Sequence, residues 1–188
     1  MAHRKLIAGM ATLLLAFATS AAVASPARAP APKRATIKAV TSFQVKINRW
    51  IKDGLRWNKD TYLVRPGGTL HIVNKAADEG PHTFTVVKKK DLPRTARQIF
   101  NCRICQQLGE AHGADPNSDA PPQHLFLENG VGQDTPPNVD RPGDSAVTGP
   151  NDGDSLDLTV TAPAGKTLRF MCLIHPWMQG KVLVRRKR

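Results

Sequence analysis

The chain has 188 residues, with 27 Lys and Arg against 15 Asp and Glu and a formal net charge of +12. That length suits one domain with an elaboration and is short for two independent cores. The positive balance attracts acidic protein surfaces or anionic headgroups, but the cations are scattered or terminal, as in Lys88-Lys89-Lys90 and Arg185 to Arg188. No nucleic-acid-binding module surrounds them, which sets nucleic acid aside as a partner.

The first 24 residues read as a signal peptide. His3, Arg4 and Lys5 make a positive start, Leu6 to Ala24 carries no charge, and Ala22-Val23-Ala24 has the small-x-small pattern that predicts cleavage before Ser25. An uncleaved membrane anchor is the competing reading, because the apolar run approaches bilayer-spanning length. Small residues in its second half favour cleavage. The expectation is a periplasmic or extracellular protein with no stable membrane insertion after processing, and no cysteine follows the cleavage site to carry a lipid.

Residues 25–40 begin rich in Pro and Ala and read as a flexible leader. The folded domain is placed at 41–188. Thr41 to Ile47 alternates through Phe43, Val45 and Ile47, Thr61 to Val64 is a second short run, and Pro66-Gly67-Gly68 is a turn. Thr69 to Asn74 follows with Leu70 and Ile72 on one face, then the β-branched run Thr83 to Val87. From 88 to 153 the composition changes. Leu92, Ala96, Phe100, Ile104 and Leu108 recur every fourth residue and predict one helix from Asp91 to about Gly113. Ala114 to Gly153, dense in Pro, Gly, Asp and Asn, reads as irregular loop. Strand patterns then return through Leu156, Leu158 and Val160, through Leu168 and Phe170, and through Lys181 to Val184. Short strands separated by turns predict an all-β, Greek-key β-sandwich, interrupted by a partly helical, loop-rich insertion at 88–153.

The chemistry concentrates in Cys172-Leu173-Ile174-His175-Pro176-Trp177-Met178, directly after the strand ending at Met171. A thiolate, an imidazole and a thioether on one short loop suit a soft or borderline metal, and copper is the ion that uses His and Cys with a weak axial Met. His82, after Pro81 at the mouth of another strand, supplies the second imidazole. The candidate metal ligands are therefore His82, Cys172, His175 and Met178, for one copper per chain. His71 reads as an ordinary mid-strand histidine, and His112 and His124 show no ligand pattern.

In these residues the chain resembles the cupredoxins, the type 1 (blue) copper proteins, particularly their plastocyanin and amicyanin branch. The resemblance rests on Pro66-Gly67-Gly68-Thr69-Leu70-His71-Ile72-Val73-Asn74 leading to Glu79-Gly80-Pro81-His82, and on Gly165 to Val184 with its Cys-x-x-His-x-x-Met spacing. It implies a cupredoxin-like sandwich holding a single copper on the four residues just named. Family members commonly carry Asn after the upstream His, where this chain has Thr83. The Thr83 N–H is expected to donate to the Cys172 sulfur, with its hydroxyl replacing part of the missing tether.

Cys102-Arg103-Ile104-Cys105 is the remaining chemical feature. On a helix the two thiols lie one turn apart, and an exported setting favours a disulfide. A second metal site, with His112, is the weaker alternative. The functional expectation is a one-electron carrier meeting an acidic redox partner such as a cytochrome or a copper oxidase domain. His175 is the electron's exit, with Pro176 and Trp177 as the apolar contact patch around it. A copper storage, delivery or sensing module is the rival reading. An enzyme is not expected, because copper oxidases and nitrite reductases use additional His-x-His pairs and the chain has none.

Overall fold

The computed structural model describes residues 30–115, 117–118 and 120–186; the expected signal peptide and its cleavage site lie outside the described residues. In chain order the strands are β1 (Arg34–Val40), β2 (Phe43–Lys46), β3 (Trp50–Asp53), β4 (Arg56–Trp57), β5 (Thr61–Val64), β6 (Gly68–Lys75) and β7 (Thr83–Val87). Helices α1 (Ala96–Phe100) and α2 (Arg103–Ala111) follow. Then come β8 (Phe126–Glu128), β9 (Val131–Gln133), β10 (Asn138–Val139), β11 (Ser145–Val147), β12 (Ser155–Val160), β13 (Thr167–Met171) and β14 (Gln179–Val184).

The period-two apolar pattern sorts the strands into two sheets. One has the order β10-β12-β6-β1-β4 and the other β5-β14-β13-β7-β11-β8-β9. In the first, Leu158 lies opposite Leu70 and Ile37 beside Ile72, so inward side chains stack across neighbouring strands. In the second, Phe84 and Val86 of β7, Leu168 and Phe170 of β13, and Val182 and Val184 of β14 point inward to the same core. Consecutive strands change sheet between β5 and β6, β6 and β7, and β12 and β13, which gives the sandwich its Greek-key crossovers. Phe170 centres an aromatic cluster, with ring centroids 4.5 Å from Phe84, 5.6 Å from Trp57 and 6.0 Å from Tyr62. Two residues later the chain reaches Cys172, so this packing fixes where the ligand loop begins.

Four sequence expectations need correction. Residues 34–40, assigned to the leader, form β1 and pair with β6 along its length. Their inward residues Ala35, Ile37 and Ala39 include two alanines, a faint signature for a core strand. The stronger alternation at Phe43, Val45 and Ile47 belongs instead to a separate ribbon, β2 with β3, whose apolar side chains are exposed. The expected single helix is two. Leu92 precedes Pro93 and is extended, as sterics against the proline ring dictate. The Thr95 side chain then caps α1, and Asn101 ends it before Cys102 starts α2. Finally, the stretch assigned to irregular loop contains β8 to β11. Of these β11 pairs with β7 and β10 with β12, so the insertion extends both sheets. These strands are two or three residues long, too short to show a period.

Cys102 and Cys105 form the expected disulfide. Around it Leu108, Ile104 and Ala111 pack on Val87, Leu127, Met171 and Leu173, a second apolar cluster on the outer face of the seven-stranded sheet. Met171 and Leu173 flank Cys172 in sequence. The insertion thus covers the strand end that carries the thiol. Among the described residues no helix is long and apolar enough to cross a membrane.

Candidate metal centre

His82 enters β7 from a turn that the chain holds on both sides. Its N–H donates to the Thr148 hydroxyl at 3.0 Å, and its carbonyl accepts from the Thr148 amide at 2.8 Å. The Asn74 side chain donates to the carbonyls of Gly80 and Gly149, at 2.9 and 3.2 Å, and ties the approach to that turn. The ring is fully buried.

The other residues lie on the loop between β13 and β14. The Cys172 amide donates to the Met178 carbonyl at 3.0 Å and the Met178 amide to the His175 carbonyl at 2.8 Å, so the loop is closed by its own backbone. Trp57 Nε1 also donates to the Met178 carbonyl, at 3.1 Å, fastening the loop to β4 in the opposite sheet. Sequence reasoning missed Trp57, because a two-residue strand leaves no periodic signal. Cys172 and Met178 are buried, while His175 reaches partway to solvent with its ring edge-on to Trp177.

The structure brings the expected residues together. His82 Nδ1 and His175 Nδ1 are 3.3 Å apart, and Cys172 Sγ lies 4.0 Å from the first and 3.8 Å from the second. A circle through these three atoms has a radius of about 2.2 Å, within the range of metal–nitrogen and metal–sulfur bonds of a first-row ion. Without a metal these contacts need a ring or thiol proton to bridge them, and a cation bound between the three atoms would take the place of such a proton.

The electrostatics favour the ligand forms of the rings. Burial, and then the neighbouring His175 ring, pushes the His82 pKa down to about 4. The Ala76 carbonyl opposes this, although His82 Nε2 lacks a hydrogen bond of proper geometry. Burial also lowers His175, against the field of Asp53. Both rings are therefore neutral near pH 7, with lone pairs free. Burial raises the Cys172 thiol, opposed first by the Thr83 amide, so a metal binding there must displace a proton.

Thr83 performs both parts expected of it. Its amide donates to Cys172 Sγ at 3.3 Å, and its hydroxyl accepts from the Leu173 amide at 2.7 Å. The tether between the two ligand segments survives the absence of Asn. One surface detail differs from expectation: Pro176 is buried, and the exposed apolar residues beside His175 are Ile174 and Trp177. His71 pairs with Asp157 at 2.7 Å, as an ordinary strand histidine does.

Two sheets packed face to face, with His, Cys and His gathered at one end and Met on the same loop, are arranged as a cupredoxin copper site. The donor set is consistent with a single type 1 copper. The solved structures to which this chain is similar include reduced auracyanin from Roseiflexus castenholzii, at 20% identity, covering 82% of this chain and 98% of that one, with a TM-score of 0.39. Auracyanin A, a "blue" copper protein from Chloroflexus aurantiacus, is 21% identical over 80% of this chain and 98% of its own, with a TM-score of 0.40. A purple cupredoxin from Nitrosopumilus maritimus is 15% identical over 80% and 98%, with a TM-score of 0.38. No protein-family model and no curated protein matches the chain. The site's own geometry, not these likenesses, carries the assignment.

Proposed function

We propose that this chain is an exported, mononuclear type 1 copper protein that carries single electrons between redox partners. The convergence of His82 Nδ1, His175 Nδ1 and Cys172 Sγ on one point carries the reading. Those atoms would hold the metal, with the Met178 thioether as a further, weaker ligand, and a bound copper would supply one-electron chemistry by alternating between Cu(I) and Cu(II).

The protein's contribution is rigidity. His82 is held by Thr148, the Cys172 loop by Thr83, and the Met178 carbonyl by Trp57. A ligand cage fixed from three directions changes little between oxidation states, which is the condition for fast electron transfer. Copper delivery needs the opposite, a ligand set that opens, and the burial of His82, Cys172 and Met178 argues against it. His175 is the electron's exit, because it is the ligand with solvent access, and Ile174 and Trp177 offer an apolar rim for brief contact. Removing the signal peptide takes away Arg4 and Lys5 from the +12 of the full chain and leaves +10, which suits an acidic partner such as a cytochrome or a copper oxidase domain. The N-terminal pattern supports export from the cytoplasm by cleavage of residues 1–24, with the domain beginning at β1 and carrying the insertion at 88–153. The test is copper content and voltammetry on one sample of the mature protein. Reversible cycling without metal loss supports the carrier, whereas transfer of Cu(I) to a competing chelator on each reduction supports delivery.

A further inference from the structure

A continuous line of buried polar groups runs from the copper-site tether into the insertion. From the Thr83 hydroxyl it passes to Thr85 Oγ1 at 3.0 Å, from there to Ser145 Oγ at 2.7 Å, and on to His112 Nε2 at 2.9 Å. At its far end His112 Nδ1 meets the His124 carbonyl at 2.7 Å. Thr83, Thr85, Ser145 and His112 are all buried. They come from β7, β11 and the residue that ends α2, so the line crosses from the sandwich into the insertion.

Proton counting orients the line. A carbonyl only accepts, so His112 Nδ1 carries a proton. Burial holds the His112 pKa below the ordinary imidazole value, so the ring is neutral and Nε2 accepts. Ser145 then donates to Nε2, and Thr85 donates to Ser145. The same Thr85 proton is shared with Thr83 Oγ1, toward which Thr85 is the donor. Thr83 Oγ1 thus accepts from Thr85 and from the Leu173 N–H together, and the first bond holds the oxygen in place for the second. The outer apolar cluster acts at the same place, since Leu108 of α2 packs with Met171 and Leu173 on either side of Cys172.

We propose that His112 is a positioning residue for the copper ligand loop: through Ser145 and Thr85 it fixes the Thr83 hydroxyl that holds the Leu173 amide, and so couples the insertion to the Cys172 ligand. Its effect on the metal rests on the copper reading above; the coupling itself does not. Without the acceptor at Nε2 the Ser145 proton is stranded, the three hydroxyls lose their common orientation, and the loop after Cys172 slackens. A slack loop would let Cys172 and His175 yield to the preference of a bound Cu(II), which would stabilise the oxidised form.

Three variants of the mature chain test this: Ser145→Ala, His112→Leu and His112→Gln, whose amide oxygen can still accept from Ser145. The readouts are hydrogen exchange of the Leu173 amide in copper-free protein and the reduction potential and visible spectrum after copper loading. Ser145→Ala and His112→Leu are expected to speed Leu173 exchange about tenfold relative to the global rate and to lower the potential, as loss of one tethering hydrogen bond implies. His112→Gln is expected to restore both. A folded Ser145→Ala protein with unchanged Leu173 exchange overturns the coupling, and that variant decides the matter if His112→Leu does not fold. If the parent chain binds no copper, the metal assignment fails, but the Leu173 contrast between variants still decides whether the insertion holds the loop.

Discussion

The Thr83 amide donates to Cys172 Sγ at 3.3 Å while the hydroxyl of the same residue accepts from the Leu173 amide at 2.7 Å. One residue beside the first imidazole thus grips both the ligand atom and the backbone of the second ligand segment. Thr83→Ala keeps the first contact and leaves the buried Leu173 N–H unpaired. The expected loss is about 1–3 kcal/mol of folding stability, with the visible thiolate band retained. Urea denaturation and an absorption spectrum of the loaded variant measure the two effects. A loss of the band with stability unchanged would place the role of Thr83 in metal electronics and not in tethering.

Phe170 couples the sandwich core to the loop. Its ring is fully buried against Phe84, Trp57 and Tyr62. Across the ladder stands Gly180, where an added Cβ would lie 2.6 Å from the Phe170 ring. Phe170→Ala is expected to cost about 3–5 kcal/mol, and Gly180→Ala about 1–3 kcal/mol through overpacking. A Phe170→Ala protein that unfolds at the parent urea midpoint would show that the ligand loop does not depend on this cluster.

The copper-free protein should weaken in acid. The His82 pKa falls from 6.5 in the unfolded chain to about 4 in the folded one, and His175 shifts the same way. Between those values the unfolded state binds more protons, so stability is full above pH 6.5 and drains as pH falls toward 4. His82 alone accounts for about 3 kcal/mol across that window. Urea midpoints of the copper-free protein at neutral pH and near pH 4 measure the effect. The histidines do not govern acid stability if those midpoints coincide.

Oxidation state separates the three cysteines. Cys102 and Cys105 are bridged, and Cys172 is free but fully buried. In folded copper-free protein an alkylating reagent should label none of them. Unfolding without reductant should expose one thiol, and unfolding with reductant should expose three. Mass spectrometry counts the labels. Three labels without reductant would return the Cys102–Cys105 pair to the metal or redox alternatives.

The site was legible where side-chain chemistry is dense and close in sequence. Cys172, His175 and Met178 share one loop, and His82 follows Pro81 directly before a β-branched run, so residue type and order sufficed. What supports them was partly hidden. Trp57 acts through one indole N–H from a two-residue strand, and His112 acts through three hydroxyls brought together only by the fold. The Greek-key sandwich was legible because most core strands alternate with large apolar residues. β1 was not, because Ala35 and Ala39 carry little hydrophobic contrast, whereas Phe43, Val45 and Ile47 carry much and are exposed. Hydrophobicity marks a strand without saying which strand is buried.

Copper titration of the mature protein, run beside Cys172→Ser and followed by visible absorption, decides whether Cys172 is the thiolate ligand of a type 1 copper. The charge-transfer band of a type 1 site comes from the thiolate, and Cys172 is the one cysteine free to provide it. The parent protein is expected to saturate at one copper per chain with an intense visible band, and Cys172→Ser to show no such band even if His82 and His175 still retain copper. An equally intense band in Cys172→Ser, or no copper bound by the parent protein, would contradict this assignment.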